Sequence, residues 1–81
     1  MRIPRDVSGD ELAKLLKQHG YEVTRQVGSH LRLTTQKGGE HHITIPLHKP
    51  LRIGTLNSIM KDAAEHLKLS RDELAESLFE K

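Results

Sequence analysis

A three-stranded antiparallel β-sheet is predicted by residues 21–46, which read YEVTRQVGSHLRLTTQKGGEHHITIP. Polar and apolar residues alternate there in three short runs with many β-branched residues, and glycine-containing turns separate the runs. The predicted strands are residues 21–26, 30–36 and 41–46, joined by turns at residues 28–29 and 37–40. Because proline has no backbone N–H to donate, the third strand is expected to end at Pro46 or to lie at an edge of the sheet.

Side-chain alternation gives this sheet one apolar face and one polar face. Successive side chains of a strand point to opposite sides, so Leu31 and Leu33 share a face with Ile43 and Ile45 of the third strand. The opposite face then carries the polar residues His30, Arg32, Thr34, His42 and Thr44. Helices that cover the apolar face would leave this polar, cationic face open to solvent.

Three helices flank the predicted sheet, over residues 9–19, 56–67 and 71–79. The first and third begin with a serine followed three residues later by a glutamate, the pattern of a capping box, at Ser8 with Glu11 and at Ser70 with Glu73. Thr55 is the predicted N-cap of the second helix, and Gly20 is typical of the residue after a helix. The order α-β-β-β-α-α predicts an α+β fold in a single domain, residues 1–81, with the helices on one face of the sheet.

The composition is that of one small domain with a modest core. Of the 81 residues 35% are apolar, Tyr21 and Phe79 are the aromatic residues, and there is no cysteine. Disulfides and thiolate metal sites are therefore excluded, and an active site is expected on the surface because so small a core leaves no room for a large cavity. No apolar run reaches the ~20 residues of a membrane span, and residues 1–6 do not resemble a signal peptide, so we expect a cytoplasmic protein.

Charge is distributed unevenly along the chain. Residues 1–69 carry eleven basic and seven acidic side chains, whereas residues 70–81 carry two basic and four acidic ones. The main body is thus modestly cationic, although the formal net charge of the whole chain is only +2. This distribution is compatible with a polyanionic partner such as a nucleic acid, without identifying one.

His30 is the strongest candidate for a catalytic residue. It begins the second predicted strand on the polar face, where an imidazole can exchange protons near neutral pH. Gly28 allows close approach of a backbone, Ser29 adds a hydroxyl, and the helix start at Thr55 offers N–H groups to an anion. The cations expected to bind phosphate around His30 are Arg25, Arg32, Lys49 and Arg52.

The other histidines are predicted to have different roles. The strand register brings His48 near His30, either as an acid–base partner or as half of a metal site, and two histidines without further ligands make the metal interpretation weak. His42 is expected on the order of 13–20 Å from His30, too far to share a proton with it. The remaining histidines are predicted to be structural. His41 is expected at the rim of the core, and His19 and His66 are expected at helix C-termini, where a cation complements the helix dipole.

Three spaced motifs follow one another along the chain: Gly28-Ser29-His30, Ile45-Pro46-x-His48 and Gly54-Thr55-Leu56-x-x-Ile59-x-Lys61. Together they resemble the HicA messenger-RNA interferase toxins, and the likeness extends over nearly the whole chain. The resemblance implies a fold similar to the double-stranded-RNA-binding domain, an RNA-cleaving activity with His30 as the catalytic residue, and inhibition by a HicB-type antitoxin. The chain departs from the family pattern at its C-terminal end, where a further helix follows, and this bears on partner contacts more than on chemistry.

Three functions are open on the sequence alone. A toxin that is an endoribonuclease would use His30 as general acid or base on the 2′ hydroxyl of RNA, with no metal and no cofactor, and His48 as a candidate second proton-transfer group. A non-catalytic RNA-binding module of the same fold would only bind phosphates, and a protein-interaction domain would present the polar face to an unrelated partner. The partners expected for the first function are messenger RNA and a HicB-type antitoxin, with no membrane; a homodimer and the role of the third helix are left open.

Overall fold

One antiparallel sheet and three α-helices make up the structure, a computed structural model that describes residues 3–80. The elements are α1 (Gly9–Leu16), which continues as a 3₁₀ turn (Lys17–His19), β1 (Glu22–Val27), β2 (His30–Thr35), β3 (His41–Pro46), α2 (Ile53–Leu67) and α3 (Arg71–Phe79). The strands are ordered β1-β2-β3, and the predicted α+β class is confirmed. Similarity to the double-stranded-RNA-binding domain stays a prediction. The predicted domain, residues 1–81, includes Met1, Arg2 and Lys81, which lie outside the described residues.

Helices α1 and α3 begin at the predicted capping boxes. The Ser8 side chain accepts a hydrogen bond from the Glu11 N–H at 3.3 Å, and the Glu11 carboxylate accepts one from the Ser8 N–H at 3.4 Å. Ser70 and Glu73 make the same two bonds at 3.0 and 2.8 Å. Gly20 ends the first helical segment with a φ of 84°, in the left-handed region that favours glycine. Within residues 3–80 no helix has both the length and the apolar character needed to cross a membrane.

The start of α2 differs from the prediction. The helix begins at Ile53 with Arg52 as its N-cap, three residues earlier than expected, and it has no side-chain cap. Thr55 lies inside the first turn, so the prediction that it caps this helix is wrong. Just before the helix, the Leu51 N–H donates to the Val7 carbonyl at 2.8 Å. A backbone contact with a distant part of the chain therefore holds this segment where the helix begins.

β2 is the central strand and pairs with β1 on one side and β3 on the other. Leu33 lies opposite Ile43, and Thr34 lies opposite His42. The apolar side chains of these strands are buried, whereas on the other face Thr34 is half-buried and the exposed residues are His30, Arg32, His42 and Thr44. The predicted division into an apolar and a polar face is confirmed, and β3, which ends at Pro46, is an edge strand as expected.

β1 contains a β-bulge that the sequence pattern did not predict. Val23 lies opposite Leu33, but the next pair is Arg25 with Arg32, so Thr24 is an extra residue in β1. An extra residue reverses the alternation of the side chains that follow it. Regular pairing would have placed Arg25 on the face that the helices cover, and the bulge places it on the polar face.

The core lies between the helices and the apolar face of the sheet. Its fully buried side chains include Leu12, Leu16, Tyr21, Leu33, Ile45, Leu56, Met60 and Leu74. Tyr21 was expected to begin the first strand, but β1 starts one residue later, and all six residues of β1 are exposed. α3 buries Leu74, Ala75 and Leu78, so this helix completes the core rather than standing apart from it.

Candidate active site

His30 is exposed at the first position of β2, as predicted. The turn that precedes it has Gly28 in the left-handed region, with a φ of 57°. The Ser29 carbonyl accepts a hydrogen bond from the Leu47 N–H at 2.7 Å. Because this bond joins the turn to the chain that follows β3, the backbone carrying His30 is held by both neighbouring strands.

A shallow groove on the polar face contains His30 and two arginines. The groove has a volume of about 160 Å³ and is lined by Arg25, Val27, His30, Arg32 and Thr44. Across the β1–β2 pairing, Val27 lies opposite His30, and Arg25 lies opposite Arg32. Arg32 is also opposite Thr44 on β3, so all three strands contribute to the groove.

Arg25 and Arg32 form a like-charge pair in this groove. Directly opposed residues of antiparallel strands have Cβ atoms about 4.5–5.5 Å apart, and like charges at such positions destabilise the sheet. None of the five lining residues is acidic. A phosphate group between the two guanidinium groups would replace this repulsion by charge-assisted hydrogen bonds. The chemistry of the groove therefore suits an anion.

His48 lies close to this groove along the chain but does not line it. Pro46 lies opposite His30, and His48 follows two residues later in an exposed loop. The His48 carbonyl accepts a hydrogen bond from the Gly9 N–H at 3.0 Å, and a side chain at Gly9 would collide with the Pro46 carbonyl oxygen. The loop backbone is thus fixed by the start of α1, while a pairing of the His30 and His48 rings stays a prediction. Among residues 3–80, no three His, Asp or Glu side chains are placed to hold a metal ion.

The remaining predicted phosphate-binding residues also lie outside the groove lining. Thr55 is half-buried in the first turn of α2, whereas the exposed ones are Ser29, Lys49 and Arg52. The pKa of the Asp10 carboxyl is lowered, mainly by the hydrogen bond that the Ser8 hydroxyl donates at 2.7 Å, with a smaller effect of the Lys49 charge. Lys49 therefore already has an anionic neighbour at the start of α1.

His42 is held by two neighbours at the far end of the polar face. Its Nδ1 lies 2.7 Å from the Thr34 hydroxyl, and its Nε2 lies 2.9 Å from a carboxylate oxygen of Glu40. The bond with His42 is the main reason that the pKa of Glu40 is lowered, and Gln36 adds a smaller effect. His42 pairs with the fourth residue after His30 along β2, which agrees with the predicted separation.

A cluster around His41 lies outside the groove and connects β3 with α2. The Nδ1 of His41 lies 2.8 Å from the hydroxyl of the buried Tyr21, and its Nε2 lies 3.2 Å from a carboxylate oxygen of Asp62. Burial raises the pKa of Tyr21 to about 12, with a smaller contribution from the charge of Asp62. The ring of His66 stacks on that of His41 with centroids 4.3 Å apart. These contacts agree with the structural role predicted for His41.

His66 and His19 make hydrogen bonds that the helix-dipole interpretation did not predict. The Nε2 of His66 donates to the carbonyl oxygens of Lys37 at 2.9 Å and Gly39 at 3.1 Å, which ties the β2–β3 turn to α2. The Nε2 of His19 lies 2.8 Å from the Ser77 hydroxyl, and burial together with the nearby Lys37 lowers the pKa of His19. Because a lowered pKa favours the neutral ring, His19 is a weaker partner for the helix dipole than predicted.

Residues 9–64 match the family model described as the HicA toxin of bacterial toxin-antitoxin systems. The chain belongs to the HicA toxin family. The HicA match begins at α1, spans the whole sheet with its groove, and ends within α2, so α3 lies beyond it. A HicA chain is the toxin of a toxin–antitoxin pair, and this is the role of the protein described here. Comparisons with curated proteins and with solved structures gave no match.

Proposed function

We propose that this HicA toxin is an endoribonuclease that cleaves messenger RNA without a metal ion, with His30 as general acid or base. The groove supports this proposal most strongly, because it combines an exposed imidazole with the Arg25–Arg32 pair. Proton transfer by a positioned side chain and stabilisation of developing charge by fixed cations are two contributions that a protein makes to cleavage of a phosphodiester. The groove is open to solvent, so a polynucleotide reaches it without a rearrangement of the fold.

RNA supplies its own nucleophile in this reaction. The 2′ hydroxyl attacks the adjacent phosphorus while the bond from phosphorus to the 5′ oxygen breaks. His30 takes the 2′ proton as general base, and the leaving 5′ oxygen receives a proton from water or from His48. The products are a 2′,3′-cyclic phosphate and a 5′ hydroxyl. All bonds and protons in this reaction are accounted for without a cofactor or a metal ion. General acid–base catalysis of this kind contributes roughly 10²–10⁴-fold in rate.

Arg25 and Arg32 are the residues proposed to stabilise the negative charge that develops on the non-bridging phosphate oxygens. Each guanidinium group can donate two parallel hydrogen bonds to phosphate oxygens. The first turn of α2 has no side-chain cap, and its N–H groups suit a flanking phosphate. The other residues proposed to bind flanking phosphates are Ser29, Lys49, Arg52 and Thr55.

A HicB-type antitoxin is the proposed inhibitor. The groove is shallow, so a protein that covers the polar face would exclude RNA without entering a deep cavity. The test is co-expression with the product of the neighbouring gene, followed by purification of the pair. We expect a stable complex that does not cleave RNA, and cleavage should return when the antitoxin is removed. A complex with undiminished nuclease activity would contradict this part of the proposal.

The test of the nuclease is incubation of the purified protein with naked messenger RNA in excess EDTA. Wild type and the His30→Ala variant are compared for cleavage by gel electrophoresis and for RNA affinity by filter binding. We expect cleavage by wild type alone, with similar affinities, because His30 is proposed to move a proton rather than to bind phosphate. Equal cleavage by the two proteins would contradict the role of His30, and loss of wild-type cleavage in EDTA would contradict metal independence.

The same experiment separates the other functions left open by the sequence. A wild-type protein that binds RNA and leaves it intact would be a non-catalytic RNA-binding module. A wild-type protein without affinity for RNA at low salt would be a protein-interaction domain, because phosphate binding is strongest at low ionic strength.

A further inference from the structure

Val27 is an exposed apolar residue inside the cationic groove. Its side chain is 60% exposed, and it lies directly opposite His30. The other four lining residues are polar or charged. A single exposed valine is ordinary on a protein surface, but this one adjoins the proposed catalytic group and the arginine pair.

The bulge in β1 is what brings Val27 to this face. Val23 and Val27 are four residues apart and would share one face of a regular strand. The extra residue Thr24 reverses the alternation, so Val23 lies opposite Leu33 on the face that the helices cover, whereas Val27 lies on the polar face. The Thr24 hydroxyl holds the bulge through a 2.9 Å hydrogen bond to the Thr34 hydroxyl. The same bulge therefore delivers a cation and an apolar side chain to the groove.

We infer that Val27 contacts a nucleobase next to the phosphate bound by Arg25 and Arg32. This inference rests on the proposed function. The Val27–His30 pair and the Arg25–Arg32 pair are two residues apart along β2, about 7 Å, so one nucleotide can touch both. A nucleobase is the apolar part of RNA that necessarily adjoins a phosphate, and covering Val27 with it removes apolar surface from water.

The groove has no tyrosine, phenylalanine or tryptophan, and the imidazole of His30 is the one aromatic ring among its lining residues. Tyr21 is buried and Phe79 lies at the end of α3, so neither lines the groove. Base stacking on aromatic rings is the usual source of affinity for single-stranded nucleic acids. Val27 adds an apolar surface directly opposite the His30 ring, and a base that lies on it must be unstacked from its neighbours. The substrate class that follows is single-stranded RNA.

The experiment compares Val27→Ser with Val23→Ser, a matched control in the same strand. Val23 is 44% exposed and lies on the other face of β1, opposite Leu33. The ligand is a short 2′-O-methyl oligoribonucleotide, which lacks the free 2′ hydroxyl and is not cleaved, and its affinity is measured by fluorescence anisotropy. We expect Kd to rise about tenfold for Val27→Ser, which corresponds to ~1.4 kcal/mol, and less than twofold for Val23→Ser.

An oligonucleotide of the same length made of abasic residues tests whether the contact is to a base. This ligand keeps every phosphate, so Val27→Ser and Val23→Ser should bind it with equal affinity. The salt dependence of binding should be the same for both variants, because neither change removes a phosphate contact.

Three results would overturn the inference: equal affinity of the two variants for the oligonucleotide with bases, the same tenfold difference on the abasic ligand, or a salt dependence altered by Val27→Ser alone. The first would assign Val27 to another contact, such as one with the antitoxin. Each is distinct from failure of the proposed nuclease, which is judged by cleavage of messenger RNA by wild type and His30→Ala.

Discussion

Replacement of Arg25 by glutamine is expected to stabilise the protein and to weaken its binding to RNA. Arg25 lies directly opposite Arg32, and both side chains are exposed. For two unit charges about 6 Å apart, Coulomb repulsion in water is about 0.7 kcal/mol at low ionic strength. At 1 M salt the Debye length is about 3 Å, and screening leaves roughly 0.1 kcal/mol. Relief of this repulsion is the physical reason for the expected gain.

Thermal unfolding measures the stability arm of this prediction. For a domain of this size, 1 kcal/mol corresponds to a change in Tm of about 4–8 °C. Arg25→Gln should therefore raise Tm by about 2–5 °C in 10 mM salt and by less than about 1 °C in 1 M salt. Arg25→Lys keeps the charge and serves as the control, with no such salt-dependent gain. The difference between the two salt conditions removes any effect of the glutamine on strand propensity.

RNA affinity measures the second arm. Loss of one phosphate contact should reduce the slope of log K against log salt by about 0.7 for a single strand. A variant that gains stability and loses RNA affinity would show that the pair is kept for binding an anion. An Arg25→Gln protein with unchanged Tm in 10 mM salt, or with an unchanged salt slope for RNA, would show that the pair neither repels nor binds phosphate as argued.

Three further predictions concern residues outside the arginine pair. Gly9→Ala should destabilise the fold by about 1–3 kcal/mol in urea unfolding, because its new Cβ collides with the Pro46 carbonyl oxygen. Gly54→Ala, with nothing within 4 Å of its new Cβ, should not destabilise the fold, and equal stability of the two variants would contradict the packing described. The raised pKa of Tyr21, about 12, means that the folded state keeps its proton longer than the unfolded state. Stability should therefore fall as pH rises from 10 to 12, and Tyr21→Phe should reduce this decline in urea midpoints measured at several pH values; an unchanged decline would count against the burial argument. His48→Ala should slow RNA cleavage about tenfold, less than the roughly 10²–10⁴-fold expected for His30→Ala, and an equal loss would make the two residues equal partners.

Most of the local structure was predictable because it depends on short-range patterns. The capping boxes at Ser8 and Ser70 fix the starts of α1 and α3 within four residues of sequence. Alternation in β2 and β3 identifies the polar face. Leu33 and Ile43 are paired and lie on the same face, so the residues between the apolar positions must lie on the other one. The exposure of His30 follows from the same parity.

The features that were missed depend on contacts between distant residues. The bulge at Thr24 is defined by the pairing of β1 with β2, and nothing in residues 22–27 alone specifies it. The start of α2 follows a backbone hydrogen bond from Leu51 to Val7, two residues that the three strands separate in the sequence. A threonine near a helix start was therefore a weaker signal than a long-range backbone hydrogen bond.

The cluster around His41 was missed for a similar reason. Its partners Tyr21 and Asp62 are 20 and 21 residues away in the sequence, on other elements of the fold. Periodicity identifies which residues face the core, but it does not identify which polar atoms meet at its rim. The sequence offered only Tyr21 and a histidine, His41, on the same strand face as the buried Ile43. This pattern is too common to predict a hydrogen bond between the two residues.

Cleavage of a DNA oligonucleotide that contains one ribonucleotide is the sharpest measurement of the proposed chemistry. Because only that residue has a 2′ hydroxyl, wild type in EDTA should cut at the single phosphate that follows it and leave a 2′,3′-cyclic phosphate, identified by mass spectrometry. The His30→Ala protein should be slower by roughly 10²-fold or more in single-turnover conditions. Cutting at other phosphates, or an equal rate without the imidazole, would contradict a histidine-assisted attack of RNA on itself.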